Sequence, residues 1–169
     1  PKQSTSVARI GSMAELGRMS IEEMAERKII YPGMPNKEVL NTFRELRTQL
    51  LKIAGNSNFV VMFMSLTPDA GTSFVATNLA AVFALDKTKT AMLIDCNLYD
   101  PSLERLLDVA PDYGLTDYLA EEKLDINDII YATGIPRLRV VPVGTHTEGG
   151  AEYFSSARMA GFIENVKRR

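Results

Sequence analysis

The sequence predicts an α/β fold, a doubly wound and mostly parallel sheet, and two observations carry that prediction. The first is the stretch 59–95. Residues 59–64 (FVVMFM) form an apolar run suited to a strand buried on both faces, and Pro68 and Gly71 end it. Phe74, Ala76, Leu79, Ala80 and Phe83 then recur at helical spacing, and residues 91–94 make a second strand that stops at Asp95. The second observation is another strand signal at residues 137–141, bracketed by Pro136 and Pro142. Strand, turn, helix, strand is a βαβ unit. Its first turn is where such sheets bind phosphate, because unpaired N–H groups and the helix dipole converge there.

The remaining elements follow in order. Ser12-x-x-Glu15 and Ser20-x-x-Glu23 each match a capping box, so one or two short helices are expected between Ser12 and Arg27. Ile29, Ile30, Tyr31, Pro32 and Gly33 read as linker, which makes residues 1–35 an extension ahead of a domain at 36–169. Residues 37–53 form an amphipathic helix, with Val39, Leu40, Phe43, Leu46, Leu50 and Ile53 as its apolar stripe. Asn36 is placed to cap its start and Gly55 its end.

After the second strand, residues 101–107 suit a short helix with proline in its first turn. Thr116 to Leu119 make a helical turn, and a further helix at 125–131 starts on Asp125. Residues 144–150 read as a flexible loop that contains the lone His146. A last helix starts on Ser156, with Met159, Phe162, Ile163 and Val166 inward and Lys167, Arg168 and Arg169 at its negative end.

Composition narrows the function. The chain has 169 residues, enough for one domain, and 46% of them are hydrophobic, enough for a core. A net charge of −2 leaves no electrostatic footprint for nucleic acid. No apolar run approaches the length of a membrane span. The single cysteine, Cys96, excludes an internal disulfide, fits a reducing cytoplasm, and is expected as a small buried hydrophobe at the strand end.

The phosphate loop suited to the 59–95 unit is G-x-x-x-x-G-K-[ST]. The chain offers Leu66-Thr67-Pro68-Asp69-Ala70-Gly71-Thr72-Ser73. Gly71 and Ser73 are present, Thr72 stands at the lysine position, and Asp69 adds a negative charge. A threonine hydroxyl does not replace an ammonium facing phosphates, because neutral hydrogen bonds are weaker than charge-assisted ones.

The ordered set of motifs resembles the cytoplasmic kinase domain of bacterial tyrosine autokinases, regulators of capsule and exopolysaccharide export. The matching residues are Phe43-Arg44-Glu45-Leu46-Arg47-Thr48, the loop above, Asp95-Cys96-Asn97-Leu98-Tyr99, Pro101-Ser102-Leu103, Gly114-Leu115-Thr116-Asp117-Tyr118-Leu119 and Val141-Pro142-Val143-Gly144. The resemblance implies a P-loop NTPase type of sheet. It also implies nucleotide contacts at Pro68, Gly71, Thr72, Ser73 and Phe74, magnesium held by Ser73 and Asp95, and Asp95 as the catalytic carboxylate; with Asn97 beside it, Asp95 is expected instead as a helix-capping and solubilising acid. Arg44 and Arg47 take the places of an oligomerisation motif whose acid is replaced by Asn41.

Two more departures fall where charge is needed. The family's D-x-D-x-R segment reads Asp95-x-Asn97-x-Tyr99 here, and an amide is neither a carboxylate base nor a charged ligand for a hard cation. The further parallel strand ending D-x-P-P and the terminal tyrosine cluster that the resemblance implies do not occur in these residues. The expectation is therefore a partial domain with an exposed sheet edge, a homo-oligomer, and a cytoplasmic place at the inner membrane face through a partner.

Three functions follow. The leading one is a non-enzymatic regulatory or scaffolding subunit of polysaccharide synthesis and export. It would serve a membrane co-polymerase or an active kinase, and Mg-ATP or Mg-ADP, the ligand the resemblance implies, would be bound weakly or not at all. The second is an active ATP-dependent tyrosine autokinase with a partner supplying the missing cation. The third is a partition-type P-loop ATPase, which Thr72 does not support.

Overall fold

The structure is a computed structural model and describes residues 17–55, 57–145 and 149–168. The Ser12 capping box, His146 and Arg169 lie outside the described residues. The helices are α1 (Ile21–Glu26), α2 (Lys37–Ala54), α3 (Thr72–Ala84), α4 (Leu115–Ala120), α5 (Gly150–Phe154) and α6 (Ala157–Lys167). The strands are β1 (Ala91–Ile94), β2 (Tyr131–Ala132) and β3 (Leu138–Val141), with 3₁₀ turns at Leu103–Leu106 and Ile126–Ile129. The sheet order is β1-β3-β2. Ala91 N–H donates to Arg137 C=O and Asp95 N–H to Val141 C=O, both 46 residues on, so β1 and β3 run parallel. The short loop from β2 to β3 makes that pair an antiparallel hairpin. The fold is α/β.

The chain divides into two compact units. The first comprises residues up to Gly55, Phe63–Leu93 and Ala132–Arg139. Its core joins Ile30, Leu40, Phe43, Leu79 and Val82, with Met34, Val39, Leu46, Leu50, Phe63 and Val75 packed against them. α2 forms where expected because its periodicity and caps agree: Asn36 Oδ1 accepts from Val39 N–H, and Gly55 follows with φ 64°. The stripe fades at its far end, where Ile53 is 84% exposed rather than buried as expected, because none of the core residues reaches that last turn.

Two sequence expectations fail in this unit. The segment read as linker is packed, with Ile29 and Ile30 buried. Residues 59–64 form no strand: they pair with no ladder, and Val60, Met62, Met64 and Leu66 are all exposed. An apolar run fixes neither a pairing partner nor a buried face, and a strand exists only in a ladder. Val61 is exposed as well, so no face of the run is buried as a strand's would be; within the first unit Phe63 packs against the core.

The second unit comprises Asn56–Met62, Ile94–Tyr131 and Val140 onward. Buried Leu103, Leu106, Leu115, Leu119, Ile126, Ile129 and Phe162 line its interior. Ser156 caps α6 by accepting from Met159 N–H, and Phe162 is fully buried against the Tyr118 ring at 5.8 Å. The expected helix at 125–131 is a single 3₁₀ turn with a capping box on Asp125, and Tyr131 belongs to β2. Residues 149–154, expected as part of a loop and beyond it, carry α5, entered through Gly149 at φ 72°.

Candidate functional site

In the first unit the sequence-defined loop is a turn into α3. Pro68 is exposed, and Asp69 takes φ 56°, a left-handed backbone uncommon for a residue with a side chain. Gly71 is the N-cap at φ 79°, ψ 16°, and no side chain caps the helix. Gly71 C=O accepts from Val75 N–H at 2.9 Å, starting the helical ladder. Thr72 and Ser73 are half-buried in the first turn, and Phe74 is partly exposed while its ring meets Phe43 edge-on at 6.2 Å. The turn opens a helix N-terminus, an end that favours anions in general, and carries no cationic side chain of its own.

Arg44 and Arg47, one turn apart on α2, have different surroundings. Arg44 is exposed, while Arg47 is half-buried and donates from Nη1 to Val82 C=O at 3.1 Å near the C-terminus of α3. A cation at that end answers the helix dipole. Arg137 does the same from another side, with Nε and Nη2 on Ala84 C=O at 3.1 and 2.6 Å.

In the second unit Asp95 closes its own turn. Oδ1 accepts from Asn97 N–H at 3.0 Å, and Oδ2 accepts from Ser102 N–H at 2.9 Å and Leu103 N–H at 3.0 Å. Asp95 as a whole is 5% exposed. It thereby caps the 3₁₀ turn at Leu103–Leu106, and its charge faces backbone donors. Asn97 is similarly engaged: Oδ1 accepts from Tyr99 and Asp100 N–H, and Nδ2 donates to Asp100 C=O at 2.8 Å. This Asx turn leaves the Tyr99 side chain 97% exposed.

Cys96, expected to be buried, is exposed, because the chain leaves β1 at Asp95 and turns outward. Partial desolvation of its sulfur, then the charge of Asp95, push its thiol above the ordinary cysteine value.

A second aspartate escaped notice as a functional residue in the sequence. Asp117 Oδ2 accepts from Gly114 N–H at 2.7 Å, and Oδ1 accepts from Thr145 Oγ1 at 2.7 Å and Thr145 N–H at 3.1 Å. Leu115 and Thr116 N–H donate to Pro142 and Val143 C=O, both at 2.8 Å. The G-L-x-D and V-P-x-G motifs thus lock onto each other, and Gly114 and Gly144 are required because each passes too close for a Cβ. The signal was the matched pair of motifs; its structural meaning needed the contact.

No protein-family model matches the chain. It is 30% identical over 142 residues to the succinoglycan biosynthesis transport protein ExoP of Rhizobium meliloti, covering 79% of this chain and 17% of that protein. It is equally 30% identical over 131 residues to the tyrosine-protein kinase etk of Escherichia coli K12, covering 77% and 18%. The kinase domain of the Escherichia coli tyrosine kinase ETK superposes with a TM-score of 0.68 at 26% identity, over 90% of this chain and 63% of that one. The chain belongs to the bacterial tyrosine-kinase domain family. The chimerical protein CapA2B2 shares the fold, with a TM-score of 0.70 at 22% identity over 97% of this chain and 70% of its own. This kinase-like domain spans 17 to 18% of the length of those two curated relatives. Among its described residues no helix is long and apolar enough to cross a membrane.

Proposed function

We propose that this kinase-like domain is a regulatory or scaffolding component of exopolysaccharide or capsule production, acting by binding a partner and not by phosphoryl transfer. The observation that carries this reading is the Asp95 carboxylate. In a nucleotide site that group serves magnesium, whereas here both oxygens receive backbone N–H groups and Asn97 is committed to its own turn. The fit of the residues to a magnesium nucleotide is poor on a second count, since the Gly71 turn bears Thr72 in place of a lysine and an aspartate at 69. A helix N-terminus attracts an anion without a lysine, but with less force than an ammonium adds. The names of the relatives, a transport protein of succinoglycan biosynthesis and tyrosine kinases, supply the process. The partner that fits is a polysaccharide co-polymerase membrane protein or an active tyrosine kinase, and the place is the cytoplasmic face of the membrane that such a partner provides.

The test is incubation with Mg-ATP, alone and with an active kinase of this family, followed by phosphotyrosine detection. The reading expects no label on the chain by itself. Autophosphorylation that scales with its own concentration and vanishes in Gly71→Asp would favour the active autokinase instead.

A further inference from the structure

Asn78 sits in the middle of α3, where asparagine is a poor helix former, and it is 1% exposed. Its Oδ1 accepts from Ile30 N–H at 2.7 Å. Its Nδ2 donates to Lys28 C=O at 3.1 Å and, one turn back on its own helix, to Phe74 C=O at 3.0 Å. The two donors and the acceptor are all used, and two of the three bonds reach the segment between α1 and α2. Lys28 meets Asn78 from a left-handed backbone, φ 56°, which a side chain disfavours. Ile30 then packs in one cluster with Leu79 and Val82 of α3 and with Leu40 and Phe43 of α2. Polar and apolar contacts therefore fasten residues 28–30 to the same helix whose first turn is the Gly71 loop.

We infer that Asn78 is a positioning residue: it joins the 28–30 strap and the first turns of α3 into one unit that opens and closes together. Displacement of the segment that leads into α2 thereby acts on the Gly71 turn. The functional consequence rests on that turn being a former phosphate loop, whereas the mechanical coupling does not.

Native-state hydrogen exchange on the whole chain over a urea series tests the coupling without any nucleotide, so it stands apart from the phosphorylation test above. The two reporters are the Ile30 amide, bonded to Asn78, and the Val75 amide, bonded to Gly71. In the wild type both are expected to exchange through one opening with the same urea dependence. In Asn78→Asp, which keeps the acceptor for Ile30 but loses both donors, both amides accelerate by a common factor of at least about ten, because two bonds are lost and a buried carboxylate oxygen is left facing two carbonyls. The Ala160 amide in α6 keeps its wild-type rate. Ile30 opening at lower urea than Val75, or accelerating alone in the variant, overturns the inference. Should the variant unfold, the wild-type series decides.

Discussion

At Asp95 the carboxylate accepts three backbone N–H groups, one of them the buried Leu103 amide, so the residue is worth more to the turn than an exposed acid is. Asp95→Asn removes the charge and sets an NH₂ against donors. Its cost is expected at about 2–4 kcal/mol of unfolding free energy, as for hydrogen bonds to a charged group that leave buried donors unmet. A urea titration checks it, and a change under 1 kcal/mol, roughly the worth of one neutral bond, contradicts the capping role. Cys96 beside it gives a pH readout. A folded thiol raised above its ordinary value holds less thiolate at neutral and mildly alkaline pH, so iodoacetamide is expected to react more slowly than with cysteine in a short peptide, although the residue is exposed. The rate curve should be displaced toward alkaline pH; a peptide-like rate would show that neither desolvation nor Asp95 acts on the sulfur.

Whole elements depend on single side chains in the second unit. Arg158 on α6 donates from Nε to Tyr118 C=O at 2.6 Å and from Nη2 to Glu121 and Leu124 C=O, and its guanidinium lies 4.2 Å from the Tyr118 ring centroid. It satisfies the carbonyls at the end of α4. Arg158→Met keeps the stem and loses the fork, and is expected to lower stability by about 2 kcal/mol. Lysine should restore less than half, since it lacks the planar fork. Gly114→Ala tests the motif lock: its Cβ would meet the Gly144 backbone and lie 2.7 Å from Pro142 O, atoms that have no rotamer to escape into. A loss of about 2–3 kcal/mol is expected from such overpacking, measurable as a fall in melting temperature.

This is also the scale at which the sequence was readable and then stopped being so. α2 and α6 were legible because period and caps are local: Asn36, Gly55 and Ser156 hold the ends they announce. β1 matches its expected bounds, its short apolar run lying against β3 in a parallel pair. Residues 59–64 were misread because an apolar run states hydrophobicity and not a ladder. Ile29 and Ile30 were misread because Tyr31, Pro32 and Gly33 signal a turn, while the bond from Ile30 to Asn78, 48 residues away, has no local trace. The site divided the same way. Neutral Thr72 and Asn97 and a capping role for Asp95 could be read directly, whereas the amides that Asp95 caps, seven and eight residues downstream, could not.

For the molecule as a whole, the fold is that of the bacterial tyrosine-kinase domains, and the proposed loss of catalysis turns on neutral Thr72 and Asn97. On the reading proposed above, weak nucleotide binding would rest on the side chains of the Gly71 turn and would be open to reversal. Thr72→Lys places an ammonium in the first turn of α3 and is expected to raise affinity for Mg-ADP at least about tenfold, the equivalent of one charge-assisted bond. The most direct test is calorimetric titration of Mg-ADP and Mg-ATP into the unmodified chain. The account predicts no heat of binding up to millimolar nucleotide, and a micromolar dissociation constant would contradict it.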